Sequence, residues 1–180
     1  MKAIHPRTIT VTVLTACLTA AAVNSTRAAD QLQKEAQDAL HNFVQKDPGI
    51  EKFVETSAGY VIFPGVGEGG FIVGGAHGKG VVYQKGKAIG TATVTKATIG
   101  AQVGGQSFAE IIFFQNPDTL KQFKSSNLEL SAGVGAVVAA EGAAETAAYQ
   151  QGIAVFTMPK SGVMAKAAIG GQKFKYQPYD

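Results

Sequence analysis

The chain contains one cysteine, no tryptophan and, beyond residue 27, no arginine. Each gap removes a class of function. Cys17 alone cannot close an intramolecular disulfide, and residues 18–180 carry no thiol for redox or thiolate–metal chemistry. Without arginine the body of the chain lacks the planar fork that dominates phosphate and guanine recognition, so nucleic acid is not an expected partner. Histidine is sparse as well, with His5, His41 and His77 far apart. A transition-metal site would therefore rest on carboxylates, and Glu68, Glu110, Asp118, Glu141 and Glu145 show no ligand spacing. No metal and no cofactor is expected. Also missing is an uncharged apolar run of the roughly 18–20 residues that a permanent membrane-spanning helix needs.

The apolar run that does occur, Ile9 to Val23, follows Lys2 and Arg7 and leads into Asn24-Ser25-Thr26-Arg27-Ala28-Ala29. A positive start, a short apolar centre and a small-residue exit are the layout of a secretory signal peptide, here residues 1–29, with one domain over 30–180. All the basic excess lies in that leader. Past it the chain has thirteen lysines against thirteen acidic residues. Cleavage after Ala28 or Ala29 yields an exported protein, periplasmic or secreted. The alternative is lipidation, because Leu14-Thr15-Ala16-Cys17 is similar to a bacterial lipobox and would make Cys17 a membrane anchor. The apolar Leu18 to Val23 after the cysteine weighs toward the first route.

Glycine is abundant: fourteen of the 22 glycines fall between Gly59 and Gly105. They alternate with Val, Ile, Phe, Tyr and Thr, which suits a pleated half-buried surface and not a flexible linker. Glycine inside a strand marks a bulge, a sharp bend or a close backbone approach. The expected fold is α+β, a strongly bent antiparallel glycine-rich sheet with a barrel-like core, two N-terminal amphipathic helices and one short internal helix. Apolar residues at helical spacing place the first helix at Asp30 to Lys46, stopped by Asp47-Pro48-Gly49, and a shorter one around Ile50, Phe53 and Val54. Their apolar faces suit packing on the sheet; docking on a membrane is the alternative, on a polar face that is only weakly basic.

Period-two patterning predicts strands at Tyr60–Phe63, Gly70–Gly74, Gly80–Gln84, Ala88–Thr95, Ile99–Gly104 and Phe108–Phe114, with a hairpin turn at Lys85-Gly86-Lys87. Asn116-Pro117-Asp118 starts a helix. Strand character returns at Leu128–Val138, Gly152–Thr157 and Val163–Ile169, and a short strand or tail holds Lys173, Lys175 and Tyr176.

Two motifs suggest enzymes and fail on context. Gly65-Val66-Gly67-Glu68-Gly69-Gly70 matches a dinucleotide loop, but a strand follows where a helix must open. Gly105-Gln106-Ser107-Phe108-Ala109 approaches a hydrolase elbow, yet it too runs into a strand, and His41 and His77 are read as a helix-face and a turn residue. No enzyme is expected. Glu110 stands out within Phe108 to Phe114, sharing a face with Phe108, Ile112 and Phe114. A buried carboxylate needs a partner, either a structural lysine or amide, or a ligand.

The blocks YVIFPGVGEGGFIVGGAHGKG (60–80), GAQVGGQSFAEIIFF (100–114) and LELSAGVGAVVAAEG (128–142) resemble, in that order, the SYLF domain family across residues 35–170. The resemblance implies a compact non-enzymatic α+β domain that binds lipid, phosphoinositides in eukaryotes, with actin contacts in some fungal members. An exported bacterial chain meets neither actin nor, ordinarily, phosphoinositides, so those partners are not carried over. The ending KSGVMAKAAIGGQKFKY (160–176) also departs from the family's acid-bearing one. An anionic membrane lipid or other small anionic ligand remains, with Lys79, Lys85, Lys87, Lys166, Lys173, Lys175 and Glu110 as candidate contacts. A structural or protein-interaction module of the envelope, docking through the sheet edge or the apolar helix, is the alternative; the lysines also suit simple protection of a solvated strand edge.

Overall fold

The computed structural model describes residues 9–70, 73–99, 105–126, 128–130, 134–161 and 171–179. Helix α1 (Ile9–Lys46) is followed by α2 (Ile50–Thr56) and a four-strand run, β1 (Gly59–Gly70), β2 (Val73–Gln84), β3 (Lys87–Ile99) and β4 (Gly105–Phe114). Then come α3 (Pro117–Lys124), β5 (Ala136–Val138), α4 (Ala143–Thr146), β6 (Ile153–Ser161) and β7 (Lys173–Pro178). The seven strands form one sheet in the order β5-β6-β4-β1-β2-β3-β7. All neighbours are antiparallel except β5 and β6, which makes the sheet mixed and not purely antiparallel as expected.

The fold is α+β with a bent sheet that does not close. In a flat sheet β7 would lie about 14 Å from β1, three strand spacings away. Instead the rings of Phe63 on β1 and Phe174 on β7 are 6.0 Å apart, and both meet on the concave face. Glycine and alanine permit this approach, since Ala76, Gly78 and Gly80 of β2 and Gly90 and Ala92 of β3 all point inward. A Cβ added at Gly78 would meet the Gly65 carbonyl oxygen at 2.8 Å. Gly65 and Gly67 differ, facing open space on the convex side.

Strand β1 runs well beyond the expected Phe63. Register shifts between Phe63 and Val66 against β4 place a bulge at Pro64-Gly65, so both Phe63 and Val66 face inward. A bulge is where a central strand tolerates proline, which cannot donate to the ladder. Gly70 pairs with Gly74, so the separate strand expected over Gly70–Gly74 is divided between the end of β1 and the start of β2. Of Leu128–Val138 only Ala136–Val138 is a strand. The expected strand over Val163–Ile169 lies outside the described residues, as does most of Ile99–Gly104. In the β2–β3 hairpin Lys85 (φ 51) and Gly86 (φ 74) occupy the two central positions, the paired positive φ of a type I′ turn.

Two cores result. On the concave face Val61, Phe63, Val66, Val82, Val94, Phe108, Ile112 and Phe114 pack with Leu120 and Phe123 of α3 and with Leu130, Val134 and Phe174. The Asn116 side chain caps α3, accepting from the Thr119 amide at 2.9 Å. On the convex face Ala36, Ala39 and Phe43 of α1 and Ile50 and Phe53 of α2 cover Tyr60, Ile62, Val81, Ile111, Phe113 and Phe156. The helix α1 extends N-terminally past the expected start at Asp30.

Asp47, read from sequence only as part of a helix stop, ties these layers together. Its buried carboxylate accepts from the Ala144 amide at 2.6 Å and the Gly49 amide at 3.2 Å, joining the α1–α2 turn to α4. Asp47→Ala leaves both amides without that acceptor, and chemical denaturation is expected to show a loss of about 2 kcal/mol. Asp47→Asn, which keeps one acceptor oxygen, is expected to recover at least half of it; equal losses in the two variants would refute the assignment.

Candidate functional site

Strand register, and not proximity in sequence, decides which of the expected lysines meet. Gly65 pairs with Lys79, Lys79 with Thr93 and Thr93 with Lys175, in one row across β1, β2, β3 and β7. The next row runs Gly67, His77, Thr95, Lys173. Alternation puts every member of both rows on the convex face, and His77, Lys79, Lys173 and Lys175 are all exposed. Lys79 and Lys175 stand two strands apart, about 10 Å, and Lys173 about 7 Å along β7 from Lys175. With Gly65 and Gly67 at the β1 end of the two rows, β1 adds no side chain over them there.

Helix α1 borders this face. A groove of about 470 Å³ runs between Ala28, Gln31, Leu32 and Glu35 of the helix and Lys79, Thr93 and Gln177 of the sheet. Two acids temper the charge: Glu35 in that groove, and Glu129, whose carboxylate lies 3.7 Å from the Lys173 ammonium. The Lys173–Glu129 pair is open to water, with side chains 70% and 57% exposed, so it holds Lys173 only weakly.

Lys85 and Lys87 do not join the rows. They sit exposed at the β2–β3 turn, six residues or roughly 20 Å along the strand from Lys79. Lys166 and the side chain of Cys17 lie outside the described residues. Ser107 and His77 share the convex face, one on each side of Gly67 and about 10 Å apart, and no hydrogen bond joins them among the described residues. No group of three or more His, Cys, Asp or Glu is placed to hold a metal ion among those residues either.

Glu110 occupies the opposite, concave face with Phe108, Ile112 and Phe114, as alternation along β4 required, and is completely buried. It faces Phe63 on β1 and Thr157 on β6. Its Oε2 accepts from Gln172 Nε2 at 3.0 Å. Burial raises its pKa to about 7; the Gln172 hydrogen bond and Lys96 pull it down, and Glu68 pushes it up. The lysine partner expected for Glu110 belongs to Glu68 instead. Lys96 Nζ is 3.9 Å from Glu68 Oε1, and Glu68 Oε2 accepts from Gln106 Nε2 at 2.6 Å. The bulge at Pro64-Gly65 hides this second carboxylate's burial from period-two patterning; once it is counted, the alternation from Val66 to Glu68 turns it inward.

No protein-family model matches the chain. Over 142 residues it is 25% identical to beta cell expansion factor A of Aeromonas veronii, covering 77% of this chain and 53% of that protein. The chain thus spans about half the length of the curated relative it matches.

Proposed function

We propose that this chain is a non-enzymatic, SYLF-type lipid-binding protein of the bacterial envelope, exported by cleavage at Ala28 or Ala29, that holds anionic headgroups on its convex sheet face. The observation that carries the reading is the register that brings Lys79, Lys173 and Lys175, all exposed, onto one face of the sheet. The block resemblance to SYLF domains and the similarity to a bacterial protein support it. Each lysine near an anionic surface contributes about 1 kcal/mol, so three give weak attachment that fades with salt. Because lysines and acids balance beyond the leader, the attraction is local to this face and not a property of net charge.

Among the described residues no helix is long and apolar enough to cross a membrane. The lysine face therefore supplies a peripheral contact in this reading. Flotation of residues 30–180 with phosphatidylglycerol vesicles at low ionic strength tests it. Replacing Lys79, Lys173 and Lys175 together by Gln is expected to weaken binding by roughly 100-fold. Replacing Lys85 and Lys87, which lie off the face, is expected to change it far less. Absence of flotation of the parent protein, or a triple variant that floats as well as the parent, would overturn the proposal.

A further inference from the structure

Three buried side-chain oxygens on the concave side lack any hydrogen-bond partner among the described residues: Glu110 Oε1, Gln172 Oε1 and Thr157 Oγ1. The first two belong to a pair already joined by its other atoms, Gln172 Nε2 donating to Glu110 Oε2. An ionised carboxylate only accepts, and so does an amide oxygen. Two acceptors on one buried pair, with no donor between them, would each carry the cost of lost hydration. A single proton on Glu110 Oε1 removes both deficits, since it can be donated to Gln172 Oε1. The result is an acid–amide pair closed by two hydrogen bonds.

The surroundings favour that proton. The carboxyl is completely buried on the face that Phe63, Phe108 and Ile112 share, and the charged groups acting on it, Lys96 from β3 and Glu68 from β1, are paired with each other. Gln172 in turn holds the entry to β7. Its carbonyl accepts from the Leu130 amide at 3.1 Å, and the Gly171 amide donates to the Leu130 carbonyl at 2.7 Å. The acid–amide contact therefore reaches across the open side of the bent sheet, from β4 to the start of its far edge strand.

We propose that Glu110 and Gln172 form a proton-dependent latch that holds the start of β7 against β4, strongest when Glu110 is protonated. The fully buried carboxyl, with its pKa raised by burial, places the change in the weakly acid to neutral range. This inference does not rest on lipid binding.

Amide hydrogen exchange between pH 5 and 8, corrected for intrinsic rates, tests it. The Gly171 and Leu130 amides are expected to exchange through an opening smaller than global unfolding. Their protection should fall more than tenfold from pH 5 to 7 and level off above. Glu110→Gln, which keeps a donor and an acceptor but cannot ionise, should abolish the fall. The carboxyl carbon of Glu110, followed by NMR in the parent protein, should remain in its protonated position at pH 6. Protection that is equal at pH 5 and 7, a fall that persists in Glu110→Gln, exchange only by global unfolding, or a Glu110 already ionised at pH 6 would each overturn the latch.

Discussion

Gly80→Ala is expected to cost about 3 kcal/mol or more in chemical denaturation, whereas Gly67→Ala should change stability by no more than about 0.5 kcal/mol. Both glycines are mid-strand in the same glycine-rich stretch, and neither has a positive φ. What separates them is the side of the sheet. A Cβ on Gly80 points into the concave face, against the carbonyl oxygen of Ile62 and within 2.6 Å of a Phe63 ring carbon. The first of these is backbone of the neighbouring strand and cannot rotate away, so relief requires opening β1 from β2 beside the bulge. A Cβ on Gly67 meets nothing within 4 Å. If the two substitutions proved equally harmful, the bend would not depend on inward-facing small residues.

The second large effect is a pH dependence centred on Glu110. Burial pushes its pKa up to about 7 in the folded chain, against about 4.3 when unfolded. Below the unfolded value both states hold the proton and nothing is lost. Between the two values only the unfolded chain ionises, so stability drops as pH rises. Above about 7 the loss is complete, at roughly 3–4 kcal/mol. Glu110→Gln should therefore match the parent near pH 4.5 and exceed it at pH 8 by up to that amount. The quantity to measure is the difference between the two proteins, since other groups titrate equally in both. A difference that does not grow with pH would mean that the carboxylate is satisfied as an anion.

Much of this was readable from local pattern. Alternation along Phe108–Phe114 placed Glu110 correctly, Asn116-Pro117 announced a capped helix that the Thr119 amide completes, and Lys85-Gly86 marked the hairpin. What escaped depended on partners distant in sequence. Pro64 looked like the end of a strand because a bulge is visible only against β4. The three-residue β5 and the four-residue α4 are too short to show any period. The face shared by Lys79 and Lys175 exists only once β7 is laid on β3 in its register. The buried site was thus half legible: the residue that needed a partner was evident, and the partner, Gln172, 62 positions away, was not.

The strand order also sets a clock on assembly. The meander of β1, β2 and β3 can form as soon as residue 99 is available, but the strand that covers the outer edge of β3 begins only at Lys173. Because the chain emerges N-terminus first, that edge keeps its backbone donors and acceptors unpaired until the residues from 100 to 173 have followed. Throughout that interval β3 offers a template to any other strand, including that of a neighbouring nascent chain.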